Sequence, residues 1–100
     1  MAIPATSREA LLHAMHLFRQ GGRSPRGPSA GQSWLDDRRH RYAIVHEGTR
    51  YPVKETIRLA VHTTTGDWPE TFLGGVTTAN AYVHRYGFQV EDLPVRTVGA

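Results

Sequence analysis

The chain has 100 residues, 39 % of them hydrophobic, which is enough for one small globular domain and too few for two. It contains no cysteine, so disulfides, zinc–thiolate centres and thiol catalysis are excluded. The net charge is +3 with a pI near 9.8, and its distribution says more than its total.

A small secreted domain generally relies on disulfides, so the absence of cysteine points to the cytoplasm. The opening residues Met1 to Ser7 form no apolar run of the signal-peptide kind. No stretch approaches the roughly 20 apolar residues of a membrane span, and no membrane role is expected. The expectation is a single recognition domain over 1–100, with an ordered core at about 6–93 and a loop at about 21–41.

The first helix is the clearest element. Thr6 is a candidate cap, and Glu9 three positions on completes a capping box. Leu11, Ala14, Met15 and Phe18 recur at helical spacing, and Ala10, Leu12 and Leu17 widen the apolar stripe. Gly21 and Gly22 stop it.

Residues 21–41 read as an irregular segment. Pro25 and Pro28 forbid a regular helix, and no apolar period is visible. Between Arg19 and Arg41 stand six arginines against Asp36 and Asp37, whereas from Trp68 onward the balance is slightly acidic. Such a basic segment suits an anionic partner. A solvated loop has the same composition. Trp34 and Leu35 are expected to pin the segment to the body.

Tyr42 to His46 is rich in strand formers, Glu47-Gly48-Thr49 supplies a turn, and Arg50-Tyr51-Pro52 returns, which together predict a β-hairpin. A second helix is expected from about Val53 to Thr65, with Ile57, Ala60 and Val61 toward the core and Gly66 as its stop. Residues 67–74 form a loop anchored by Trp68, Pro69 and Phe72. A third helix opens at Gly74-Gly75, with Val76, Ala79, Val83 and Tyr86 as apolar positions, and ends at Gly87. Phe88-Gln89-Val90 alternates as a last strand, and the tail after Leu93 frays. The expected class is α+β in the order α-β-β-α-α-β, three helices on a small sheet whose strand order the sequence does not give. A helix-turn-helix reader would need a shorter turn than residues 67–74.

Three pieces read together carry a resemblance. They are Arg8-Glu9-Ala10-Leu11-Leu12-His13-Ala14 ending in Gly21-Gly22-Arg23; Arg41-Tyr42-Ala43-Ile44-Val45-His46-Glu47-Gly48 followed by Arg50-Tyr51-Pro52-Val53-Lys54; and Phe72-Leu73-Gly74-Gly75 leading into Tyr86-Gly87-Phe88-Gln89-Val90. Over about residues 8–91 the chain resembles the N-terminal head domain of ScoMcrA-like HNH restriction endonucleases, bacterial enzymes that cut modified DNA. Where such heads carry Tyr-Asp-Ser-Lys or Tyr-Pro-Pro-Lys, this chain has Tyr51-Pro52-Val53-Lys54. Where they often carry Phe-Ser-Gly-Gly, it has Phe72-Leu73-Gly74-Gly75, so one hydroxyl that would cap a helix or touch phosphate is lost. The resemblance implies an accessory module of a DNA-directed defence system, with a nuclease as partner, and not cleavage by this chain.

The candidate contacts follow from charge and geometry. Arg38, Arg39 and Arg41 precede a rigid hairpin, and their guanidinium groups match phosphate. They suit equally a charged edge that keeps the strand from aggregating, or pairing with Asp36 and Asp37. Lys54 and Arg58 stand one turn apart on one face of the second helix. Lys54 in a first turn opposes the helix dipole by roughly 0.3–1 kcal/mol, which suits an anion contact or a pairing with Glu47 or Glu55. Thr77, Thr78 and Asn80 near the start of the third helix offer hydrogen bonds to phosphate or base edges, or simply cap the helix.

Other constellations weigh less. His13 and His16 lack a third ligand at defined spacing, so no metal is expected. His46-Glu47 lacks a positioned nucleophile or cofactor loop, and neither an enzyme nor a cofactor is expected. Trp34, Trp68, Tyr51 and Tyr82 are able to stack on bases but more commonly anchor a core. The leading expectation is a non-catalytic DNA-binding accessory module. The alternative is a protein-interaction or self-assembly module docking to a nuclease.

Overall fold

The computed structural model describes residues 6–22, 42–68 and 75–92; the side chains of 75–78 lie outside that description. So do residues 23–41 of the loop expected at about 21–41, the anchors Trp34, Leu35, Pro69 and Phe72, and the tail expected to fray after Leu93. The elements are α1 (Arg8–Arg19), β1 (Tyr42–His46), β2 (Thr49–Pro52), α2 (Val53–Thr65), α3 (Gly75–Arg85) and β3 (Gln89–Asp92), an α+β fold in the predicted order.

Leu11, Ala14, Met15 and Phe18 are the buried residues of α1, as their spacing requires. The cap differs from the sequence reading. Ser7, not Thr6, accepts from the Ala10 amide at 3.0 Å, and Thr6 instead shares a hydrogen bond with the Thr64 hydroxyl at 2.8 Å. The third helical position is then Ala10, so the capping box does not form. At the far end Gly21 takes φ +97° while Gly22 N–H donates to Leu17 O and Gly21 N–H to Phe18 O, the Schellman pattern. The same pattern closes α3, with Gly87 at φ +87° and Phe88 N–H on Val83 O.

The hairpin turn is the pair Glu47-Gly48, both at positive φ, and Thr49 already pairs with His46. Two consecutive positive-φ residues match the right-handed twist of the strands, which is why two residues suffice. β1 is central: the order is β2-β1-β3, antiparallel throughout, with Ile44 opposite Tyr51 on one side and Val90 on the other. β3 therefore returns to the middle strand of the hairpin from across the helices.

One core joins these layers. Phe18 of α1 and Tyr51 meet in a T-shaped contact with ring centroids 6.4 Å apart, and Ile44, Ile57, Ala60, Val83 and Phe88 complete the core's centre. On the opposite face of the sheet Arg50 reaches across β1 to Glu91 of β3 at 3.0 Å. α2 lies deepest, touching α1, α3 and both hairpin strands. It buries Val53, Glu55, Thr56, Ile57, Leu59, Ala60 and Val61, far more than the three residues that its apolar pattern predicts.

Candidate nucleic-acid interface

Pro52 ends β2 and begins α2 in one step. Its carbonyl accepts the Thr56 hydroxyl at 2.8 Å, and the helix starts at Val53 with no side-chain cap. This puts Lys54 in the first turn and Arg58 one turn later, both half-buried. They are the only positions between Val53 and Val61 that are not buried. Side chains four apart on a helix share a face. Lys54 and Arg58 thus lie one turn apart on one face of α2.

Their surroundings differ. Arg58 Nη1 lies 3.4 Å from Glu55 Oε1, and the Glu55 side chain has no exposure at all while that of Arg58 keeps 30 %. So Glu55 goes to Arg58 and not to Lys54. Glu47 points elsewhere: its carboxylate is 3.8 Å from His46 Nε2 and almost fully exposed.

Asn80 is half-buried, and its Oδ1 is sealed from solvent with no hydrogen-bond partner among the described residues. A phosphate offers no proton to that oxygen, so a phosphate contact from Asn80 would fall to its amide nitrogen. The Thr77 and Thr78 side chains and all of Arg38, Arg39 and Arg41 lie outside the described residues. The backbone does place 77 and 78 in the first turn of α3.

Of the aromatic candidates, Tyr51 and Tyr82 are core residues at 3 % and 6 % exposure. Burial, and then the neighbouring Tyr86, push the Tyr82 phenol far above the ordinary tyrosine range. Trp68 packs against the edge of the core and stacks on His62, with ring centroids 3.9 Å apart and planes 9° from parallel. The sequence reading missed this pairing, although His62 follows Lys54 and Arg58 at the same interval of four and was there to be seen.

His13 and His16 stack loosely at 6.5 Å on the exposed side of α1, and among the described residues no three metal-ligating side chains are arranged to hold an ion. Nor is any helix among them long and apolar enough to cross a membrane.

Among the described residues, three helices on a three-stranded antiparallel sheet define a small α+β module. More particularly, the chain belongs to the family described as the ScoMcrA-like N-terminal head domain, whose model matches residues 5–92. No curated protein and no solved structure matches the chain.

Proposed function

We propose that this chain is a non-catalytic nucleic-acid-binding module, a single head-like domain over 1–100 that serves a restriction or defence nuclease in the bacterial cytoplasm. The observation that carries the reading is the face of α2, where Lys54 and Arg58 are the only residues not buried between Val53 and Val61. Between Val53 and Val61 a helix otherwise enclosed by its own fold offers solvent two cations about 6 Å apart along its axis. Arg38, Arg39 and Arg41 add three more cations immediately before β1. Thr77, Thr78 and Asn80 would supply neutral hydrogen bonds. Membership of the head-domain family supports the association with DNA-directed defence. The attraction is to the phosphate backbone and releases counterions, so it carries little sequence information.

The test is fluorescence anisotropy with short labelled duplex DNA. Five phosphate contacts predict a loss of affinity of roughly several hundred-fold between about 50 and 200 mM salt. Lys54→Ala lowers the salt slope by about 1, and the triple change of Arg38, Arg39 and Arg41 to Ala lowers it by about 3. Binding that ignores salt rejects the mechanism. No binding at low salt favours docking to a protein partner.

A further inference from the structure

The solvent-facing stripe of α2 does not end at Arg58. From Val53 to His62 every position is buried except Lys54, Arg58 and His62, spaced by four and therefore aligned along one face about 12 Å long. Its first two members are cations and its last is an imidazole already in a stack. The local chain path makes that stack. Gly66 leaves the helix at φ +84°, the Thr65 hydroxyl donates to Val61 O at 2.8 Å and accepts from Asp67 N–H at 3.2 Å, and the turn so fixed brings the Trp68 indole flat against His62.

Phosphate binding alone needs charge and donors; it has no use for a planar ring stack at the end of a cationic row. Unpaired bases do, because each carries a flat face that an aromatic ring can cover, whatever its sequence. In a duplex those faces are already taken by neighbouring base pairs. Both His62 and Trp68 are only half-buried, so the two-ring stack is not closed off inside the core.

We infer that the stripe and the stack form one site for an unpaired nucleotide segment. The sugar–phosphate strand runs along Lys54 and Arg58, and a base extends the ring stack of His62 and Trp68. Glu55 beneath Arg58 holds the guanidinium in place through Nη1, while part of that side chain remains exposed at the surface. The inference rests on the nucleic-acid reading above and adds to it the class of ligand: single strand, in preference to duplex.

The experiment uses the full chain carrying Trp34→Phe, which leaves Trp68 as the sole tryptophan. It is titrated at low salt with a short oligothymidylate and, separately, with a long duplex in which ends are scarce. The expected result is quenching of Trp68 emission by the oligothymidylate and roughly tenfold tighter binding of it than of duplex. Trp68→Leu, which keeps an apolar side chain against the core, removes the preference, and Lys54→Ala weakens both ligands alike. The quench is read on the protein with its stack intact, so a poorly folded Leu variant does not decide the matter. Equal binding of both ligands with unchanged Trp68 emission overturns the single-strand inference and leaves the nucleic-acid reading standing. Absence of binding to either overturns both.

Discussion

Arg8 lays its guanidinium over the ring of Phe88, 4.4 Å from the ring centre, and from the same position its Nη1 donates to Tyr86 O at 2.6 Å. The first turn of α1 is thereby fastened to the exit of α3. The carbonyl it engages is one that a helix end leaves without an internal partner, and a cation there also meets the negative end of the dipole. Gly87 lies under this contact, since a Cβ on it would stand 2.9 Å from Arg8 Nη1.

Arg8→Ala is expected to cost about 1–2 kcal/mol, combining a charged hydrogen bond and a surface cation–π contact. Gly66 and Gly87 both sit at positive φ, so alanine at either costs about 1–2 kcal/mol in backbone strain. Only at Gly87 must Arg8 also move. Urea unfolding of Gly87→Ala should therefore show an excess loss over Gly66→Ala, and that excess should vanish in the Arg8→Ala background. An excess that persists there would show that Gly87 and Arg8 are not coupled.

Capping gives a second test. Ser7→Ala should destabilise the fold by about 1 kcal/mol, the usual cost of losing an N-cap oxygen. Thr6→Val removes an exposed hydroxyl pair with Thr64 and should cost less. Thermal unfolding of the two variants compares them directly. The reverse ranking would return the cap to Thr6.

That cap shows where sequence reading stops. Thr6 and Ser7 are both competent caps, and local rules do not choose between them. Contacts far along the chain accompany the choice: Thr6 N–H lies 3.3 Å from the Tyr86 hydroxyl, and its side chain is engaged by Thr64. Features set by period or by glycine were legible, such as the buried face of α1, the hairpin and the exits at Gly21 and Gly87. The sheet order was not, because β3 selects β1 through packing of helices placed between them in sequence. Glu55 reads as a surface charge on any linear pattern; it is buried because α2 is covered from several sides at once. For the site, the spacing of Lys54 and Arg58 was visible, but the link from His62 to Trp68 depends on a turn at Gly66 that places two rings in parallel.

Burial of Glu55 carries a third prediction. Removing Arg58 takes one of its partners from a fully buried carboxylate. Loss of one member of a buried pair costs about 3–5 kcal/mol, and the partial exposure of Arg58 reduces this to about 2 kcal/mol. Arg58→Lys should recover most of the loss, since the charge remains. Chemical denaturation of both variants checks this, and a change under about 0.5 kcal/mol for Arg58→Ala would mean that other groups hold Glu55. Lys54 is for this reason the cleaner residue on which to test binding.

Tyr82 makes stability depend on alkaline pH, and the sign follows from its burial. The folded protein holds its phenol proton far above the ordinary value of 10.0, whereas the unfolded chain releases it near that value. Below that pH both states keep the proton, and the contribution to stability is fully present. Above it the unfolded state ionises first, and stability falls by up to about 1.4 kcal/mol per pH unit. Tyr82→Phe removes this term. At neutral pH the variant should be less stable by about 1 kcal/mol, because the hydroxyl's hydrogen bond to Tyr86 is lost. As pH rises past about 10 the two stability curves should converge and then cross. The difference between the two curves reports the Tyr82 phenol together with its contact to Tyr86. Curves from urea unfolding that stay parallel from pH 8 to pH 11.5 would show that the Tyr82 phenol ionises as readily in the folded state as in the unfolded chain.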